Sequence, residues 1–101
     1  MGWAAPYIQQ LLTGQTVQFR PRGHSMTGRI DSGQLCTVVP IADPKTLKVG
    51  DIVLCKVRGS EYLHLITAAR GCQYQISNNK GHVNGWVTPR TIYGLCVKVE
   101  P

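Results

Sequence analysis

The spacing of apolar residues changes once along this chain. Trp3, Ala4, Tyr7, Ile8, Leu11 and Leu12 recur at intervals of three and four, which gathers them on one face of a helix over residues 3–13. Pro6 is tolerated in the first turn, and Gly14 suits the C-terminal cap. The helix is short and has no basic face, so its expected role is to cover the end of a sheet rather than to lie on a membrane or a partner. From Gln15 the period becomes two: Val17 and Phe19 alternate with Thr16, Gln18 and Arg20, a half-buried strand that Pro21 ends. Further strands are expected at 34–39, 51–58, 61–67, 72–77 and 91–99.

Six short strands separated by turns predict a mainly β fold, a small coiled, barrel-like antiparallel sheet with a short N-terminal helix. Arg58-Gly59-Ser60-Glu61 reads as the hairpin loop between the strands at 51–58 and 61–67. The run Ser77-Asn78-Asn79-Lys80-Gly81-His82-Val83-Asn84-Gly85 is so polar and so rich in turn formers that an exposed loop is expected before Trp86. No repeat, low-complexity segment or linker interrupts the chain, so residues 1–101 are expected to form one domain: the helical segment 1–14 and a β domain over 15–101.

Composition bounds the picture without deciding function. Of 101 residues, 43% are hydrophobic and 16% charged, the profile of a folded protein rather than a disordered one. Eleven Lys and Arg against five Asp and Glu give a net charge of +6. The basic residues are scattered and no recognition motif accompanies them, so a solvated basic surface is expected rather than a nucleic-acid site. Cys36, Cys55, Cys72 and Cys96 show no Cys-x-x-Cys pairing, which argues against a zinc site and for four reduced thiols in a cytoplasmic protein. No cofactor or metal is expected. No stretch approaches the ~20 apolar residues of a membrane span.

The candidate chemistry lies in two places. Ser25 sits in Pro21-Arg22-Gly23-His24-Ser25-Met26-Thr27-Gly28, where glycines on both sides let the backbone turn sharply and approach a substrate. A serine hydroxyl attacks a peptide bond at neutral pH only with a base in hydrogen-bond reach and donors aimed at the developing oxyanion. The backbone amides of Ser25 and Met26 are the candidate donors, and Gly23 and His24 the candidate substrate contacts. The base is expected from the strand Glu61-Tyr62-Leu63-His64-Leu65-Ile66: His64 shares a face with Tyr62 and Ile66, and an ordinary imidazole pKa near 6.5 suits it to accept a proton. His82 is a rival base, less favoured because its loop offers no comparable rigidity.

In order, Gly23-x-Ser25-Met26, then Gly50-Asp51-Ile52-Val53, then Leu63-His64-Leu65-Ile66, and finally Ile92-Tyr93-Gly94-Leu95: this succession resembles the catalytic domain shared by type I signal peptidases and LexA-like self-cleaving repressors, over about residues 17–99. The resemblance implies Ser25 as nucleophile and His64 as general base, in the manner of the histidine-type signal peptidases, as a catalytic module without a membrane anchor. The chain departs from the family at Gly28, where proline is usual, at Gln34, where aspartate is usual, and at Leu65, where arginine commonly follows the base. Where the family has Gly-Asp-Asn-Asn followed by an orienting aspartate, this chain reads Ile76-Ser77-Asn78-Asn79 and no aspartate follows. A Ser-His-Asp triad therefore does not carry over. What remains is a Ser25–His64 dyad whose imidazole is oriented by Asn78, Asn79, Asn84 or a backbone carbonyl.

The expected function is a small serine peptidase that cleaves an extended peptide or protein segment. The alternative is a catalytically weak or inactive peptide- or protein-binding module of the same fold, which the missing aspartate favours.

Overall fold

In the computed structural model, which describes residues 2–101, helix α1 spans Ala5–Leu12, shorter at both ends than the periodicity predicts. Its C-terminus closes as the glycine position requires: Gly14 has φ +88°, its amide donates to the Leu11 carbonyl at 3.0 Å, and the Gln15 amide donates to the Gln10 carbonyl at 3.0 Å. At the other end no side chain of the helix caps it. The neighbouring contact comes from far along the chain, where Glu61 Oε1 accepts the Ala4 N–H at 2.7 Å and the Glu61 carbonyl accepts the Trp3 indole N–H at 3.2 Å. Ala4, Ile8 and Leu11 form the buried stripe. Leu12 falls off that stripe and Trp3 precedes the helix, which leaves both substantially exposed.

Seven strands follow: β1 (Val17–Phe19), β2 (Leu35–Pro40), β3 (Ile52–Val57), β4 (Ser60–Arg70), β5 (Gln73–Ser77), β6 (Val83–Val87) and β7 (Ile92–Glu100). They form one antiparallel sheet in the order β1-β2-β7-β3-β4-β5-β6. Two expectations are corrected. The residues expected to form an exposed loop up to Gly85 include the start of a seventh strand, β6, and the sheet is open rather than closed, since β1 and β6 each pair on one side only. As an edge strand, β6 needs apolar residues on one face alone, and its exposed Val83 and Trp86 flank the buried Gly85. The sheet still curls: an added Cβ at Gly85 would stand 3.0 Å from Val57 Cγ1 of β3.

Alternation along the strands builds two cores. Leu54, Leu63 and Leu65 join α1, Val17, Phe19, Cys36 and Val38 in one cluster, while Val53, Cys55, Ile66 and Ile76 belong to the other. All four cysteines are free thiols. Burial pushes the Cys36 and Cys55 thiols up to about 12, with neighbouring Cys96 adding to the effect at Cys36, so both behave as small apolar side chains. Among the described residues no helix is long and apolar enough to cross a membrane.

Gly94 marks where α1 rests on the sheet. A Cβ there would lie 2.5 Å from Val38 Cγ1 and 2.9 Å from Leu11 Cδ1, in a region where Val38 is fully buried. Gly94→Ala is therefore expected to destabilise the domain by about 1–3 kcal/mol through overpacking, read as a fall in Tm of roughly 4–8 °C per kcal/mol. An unchanged melting curve would mean that α1 is not held against the sheet at this point.

The feature that positions the candidate site is a local gap in pairing. β5 pairs with β4 only from Leu65 to Arg70, whereas β3 pairs with Ser60 to Leu65. The stretch Ser60–His64 therefore has a partner strand on one side only, and the β1–β2 connection approaches it.

Candidate active site

Ser25 is carried on the β1–β2 connection by two neighbours that act as plugs. Met26 and Ile30 are buried in the first core cluster, and the Ile30 amide donates to the Met26 carbonyl at 2.8 Å, forming a single helical turn. Ser25 just before this turn stays exposed. Gly23 adopts φ +111°, a conformation that strains any residue with a Cβ, and its amide donates to Ser32 Oγ at 3.1 Å. The base of the connection is closed by the Gly33 amide donating to the Pro21 carbonyl at 2.9 Å and by Arg20 Nη1 donating to the Gly33 carbonyl at 2.9 Å.

Asn79, in the turn between β5 and β6, fastens this connection from the opposite side. Its amide donates to the Ser25 carbonyl at 2.9 Å, its Nδ2 donates to the Thr27 carbonyl at 2.8 Å, and its Oδ1 accepts from Arg29 Nε at 3.0 Å.

His64 projects from β4 at the end of the pairing gap, and the two ring nitrogens meet different partners. Nε2 lies 3.1 Å from Ser25 Oγ, and Nδ1 lies 2.7 Å from Asn84 Oδ1 on β6. A carboxamide oxygen can only accept, so Nδ1 carries the proton and donates it to Asn84. Nε2 is then left with a lone pair facing the Ser25 hydroxyl, the tautomer that a general base needs. Tyr62 stacks on the imidazole at 4.8 Å between centroids, and His64 itself is only 7% exposed.

Burial holds the His64 pKa below its ordinary 6.5; the Asn84 hydrogen bond opposes this and the charge on His82 reinforces it. The sign follows directly. The base works in its neutral form, so a depressed pKa extends function toward acid. Any reaction that uses His64 as base should show a kcat/KM that rises with pH through a midpoint below 6.5 and is flat above it. A midpoint at or above 6.5 would mean that the titrating group is not this buried ring.

The structure thus brings together Ser25 and His64 and selects among the candidate orienters. Asn84 is the residue on the imidazole. Asn79 binds the serine connection, and Asn78 Oδ1 accepts the Lys80 and His82 amides at 2.8 and 2.9 Å, shaping its own turn. His82 is exposed, and the Ser25 hydroxyl faces His64 instead. Gly23 lines the groove beside the serine, but His24 does not: it is exposed and lies outside the groove, so its side chain is not a groove contact. Among the described residues neither the Ser25 nor the Met26 amide donates to a protein acceptor.

The groove has a volume of about 550 Å³ and runs from Ser25 and His64 to α1. That size is within the range of small-ligand and peptide sites. Among the described residues no three or more His, Cys, Asp or Glu side chains cluster to hold a metal ion. No protein-family model matches the chain, and no curated protein matches it.

Proposed function

We propose that this protein is a small serine peptidase of the signal peptidase/LexA-like kind, with Ser25 as nucleophile and His64 as general base. The observation that carries the reading is the continuous relay from Ser25 Oγ to Nε2, at 3.1 Å, and from Nδ1 to Asn84 Oδ1, at 2.7 Å. The ordered motifs from Gly23 to Val53 and the strand around His64 support the family assignment.

In this mechanism Nε2 takes the Ser25 hydroxyl proton as Oγ attacks the carbonyl carbon of a peptide bond, and the Ser25 and Met26 amides receive the oxyanion. The imidazolium then returns the proton to the leaving amine, which leaves an acyl-serine. Water, deprotonated by the same nitrogen, releases the acyl group. Asn84 keeps the proton on Nδ1 throughout. It stabilises the imidazolium as a neutral dipole, less strongly than a carboxylate would.

A second reading rests on that same neutrality: a peptide-binding module of this fold whose dyad turns over slowly or not at all. A fluorophosphonate probe separates the two. The peptidase reading expects covalent mass added at Ser25 in the native protein and none in Ser25→Ala or after unfolding. Native protein that stays unlabelled would leave the binding module standing.

A further inference from the structure

The groove is longer than the dyad requires, and its far wall comes from the N-terminal segment. Phe19 is the hub there: Tyr7 stacks on it at 4.5 Å between centroids and Trp3 meets it edge-on at 5.6 Å. All three line the groove, with Met26, Ile30 and Leu63 supplying apolar floor between them and Ser25. Trp3 is 49% exposed, an aromatic ring left with one side uncovered, while Phe19 behind it is buried. The segment is fixed to the site by the two Glu61 contacts, three residues before His64, so the aromatic wall and the base are parts of one rigid unit.

Two arginines and two carboxylates stand on the rim, and they differ in how far they are engaged. Arg20 and Arg22 line the groove, and among the described residues neither is in an ion pair. Arg22 also makes no hydrogen bond to the protein. The two groove carboxylates are engaged with backbone amides, Glu61 with Ala4 and Asp31 with Gly28. Arg22 is therefore the charged group of the rim with no protein partner among the described residues, placed to meet an acidic side chain of a ligand.

We infer that the groove selects an extended peptide by a bulky apolar side chain, aromatic or branched aliphatic, seated against Trp3, Tyr7 and Phe19, with an acidic residue beside it facing Arg22. The inference rests on the peptide-directed reading above and names the substrate class of that site. Apolar ring faces reward a side chain in proportion to the apolar area it buries. A small side chain leaves the wall wet and gains little.

The test uses Ser25→Ala protein and fluorescein-labelled decapeptides of alanine and serine. Each carries Phe or Ala at the centre and Asp or Lys at the adjacent position, and binding is followed by fluorescence polarisation. The Phe–Asp peptide is expected to bind about tenfold to a hundredfold more tightly than the Ala–Asp peptide, the span that burial of one large side chain supplies. Tyr7→Ala should erase that preference. Because its loss of stacking can also loosen α1, Trp3→Ala, at a half-exposed position, is measured beside it and should reduce the preference several-fold with an unchanged circular-dichroism spectrum. Arg22→Gln should remove the preference for Asp over Lys and leave the preference for Phe.

Equal binding of the Phe and Ala peptides, no binding of either, or a Phe preference that survives both Trp3→Ala and Tyr7→Ala overturns the inference. The same peptides incubated with wild-type protein keep the two readings apart. Selective binding without cleavage removes the peptidase and leaves the subsite, whereas cleavage indifferent to the central side chain does the reverse.

Discussion

Ser25→Ala and His64→Ala are each expected to lower kcat/KM for peptide cleavage by about 10³–10⁵-fold, and the double variant to be little worse than either. The reason is that in the proposed mechanism Ser25 Oγ and His64 Nε2, 3.1 Å apart, share one step. Without the hydroxyl there is nothing to acylate, and without the imidazole the hydroxyl keeps its proton. Stability separates this from damage to the fold. Ser25 is exposed, so its alanine variant should melt within about 0.5 kcal/mol of the parent. His64 is buried between Tyr62 and Asn84, so its variant should lose stability as well as activity. Activity in Ser25→Ala within tenfold of the parent would remove Ser25 as nucleophile.

Asn84→Asp is expected to raise kcat by roughly 10–100-fold, an unusual direction for a change beside a catalytic base. Asn84 already holds Nδ1–H with an oxygen 2.7 Å away, so the tautomer is correct and only the charge is missing. A carboxylate in that place favours the imidazolium that forms as the serine attacks. The same charge raises the His64 pKa, so the acid limb of the pH profile should move up in Asn84→Asp, opposite to the depression that burial now produces. Asn84→Ala should lose about 10²-fold by releasing the ring. Steady-state kinetics across pH read all of this at once. A slower Asn84→Asp enzyme with an unmoved limb would show that Asn84 does not face the working imidazole.

The legible parts of this structure are those written in residue spacing. The alternation of Val17 and Phe19, the mostly apolar run Ile52–Val57 and the hairpin at Arg58-Gly59 located strands and turns within a few residues, because burial of strand faces leaves its pattern in the sequence. β6 left no such period. Only Gly85 and Val87 are buried in it, and the residues Asn84 and Gly85 carry weak strand preferences, so pairing with β5 decides what local chemistry does not. That omission hid the choice of orienter. With residues 77–85 read as a loop, Asn78, Asn79 and Asn84 were equivalent; once β6 pairs with β5 through a register shift at Ile76/Ser77, only Asn84 reaches the imidazole. The aromatic wall was illegible for a different reason. Trp3, Tyr7 and Phe19 belong to a helix segment and a strand whose meeting depends on Glu61, 57 residues beyond Ala4.

The three contacts of Asn79 make the placement of Ser25 a matter of population. The β1–β2 connection has little regular structure of its own, and its amides would be expected to exchange with solvent through local opening. Asn79 ties Ser25, Thr27 and Arg29 to the β5–β6 turn, so opening the connection also breaks contacts across the sheet. Ser25 and the strand bearing Asn84 are then expected to protect their amides as one cooperative unit. If the proposed mechanism holds, a change at Asn79 should act on the fraction of molecules in which Ser25 is aligned, and so scale turnover of every substrate alike while leaving the acidity of His64 as it was.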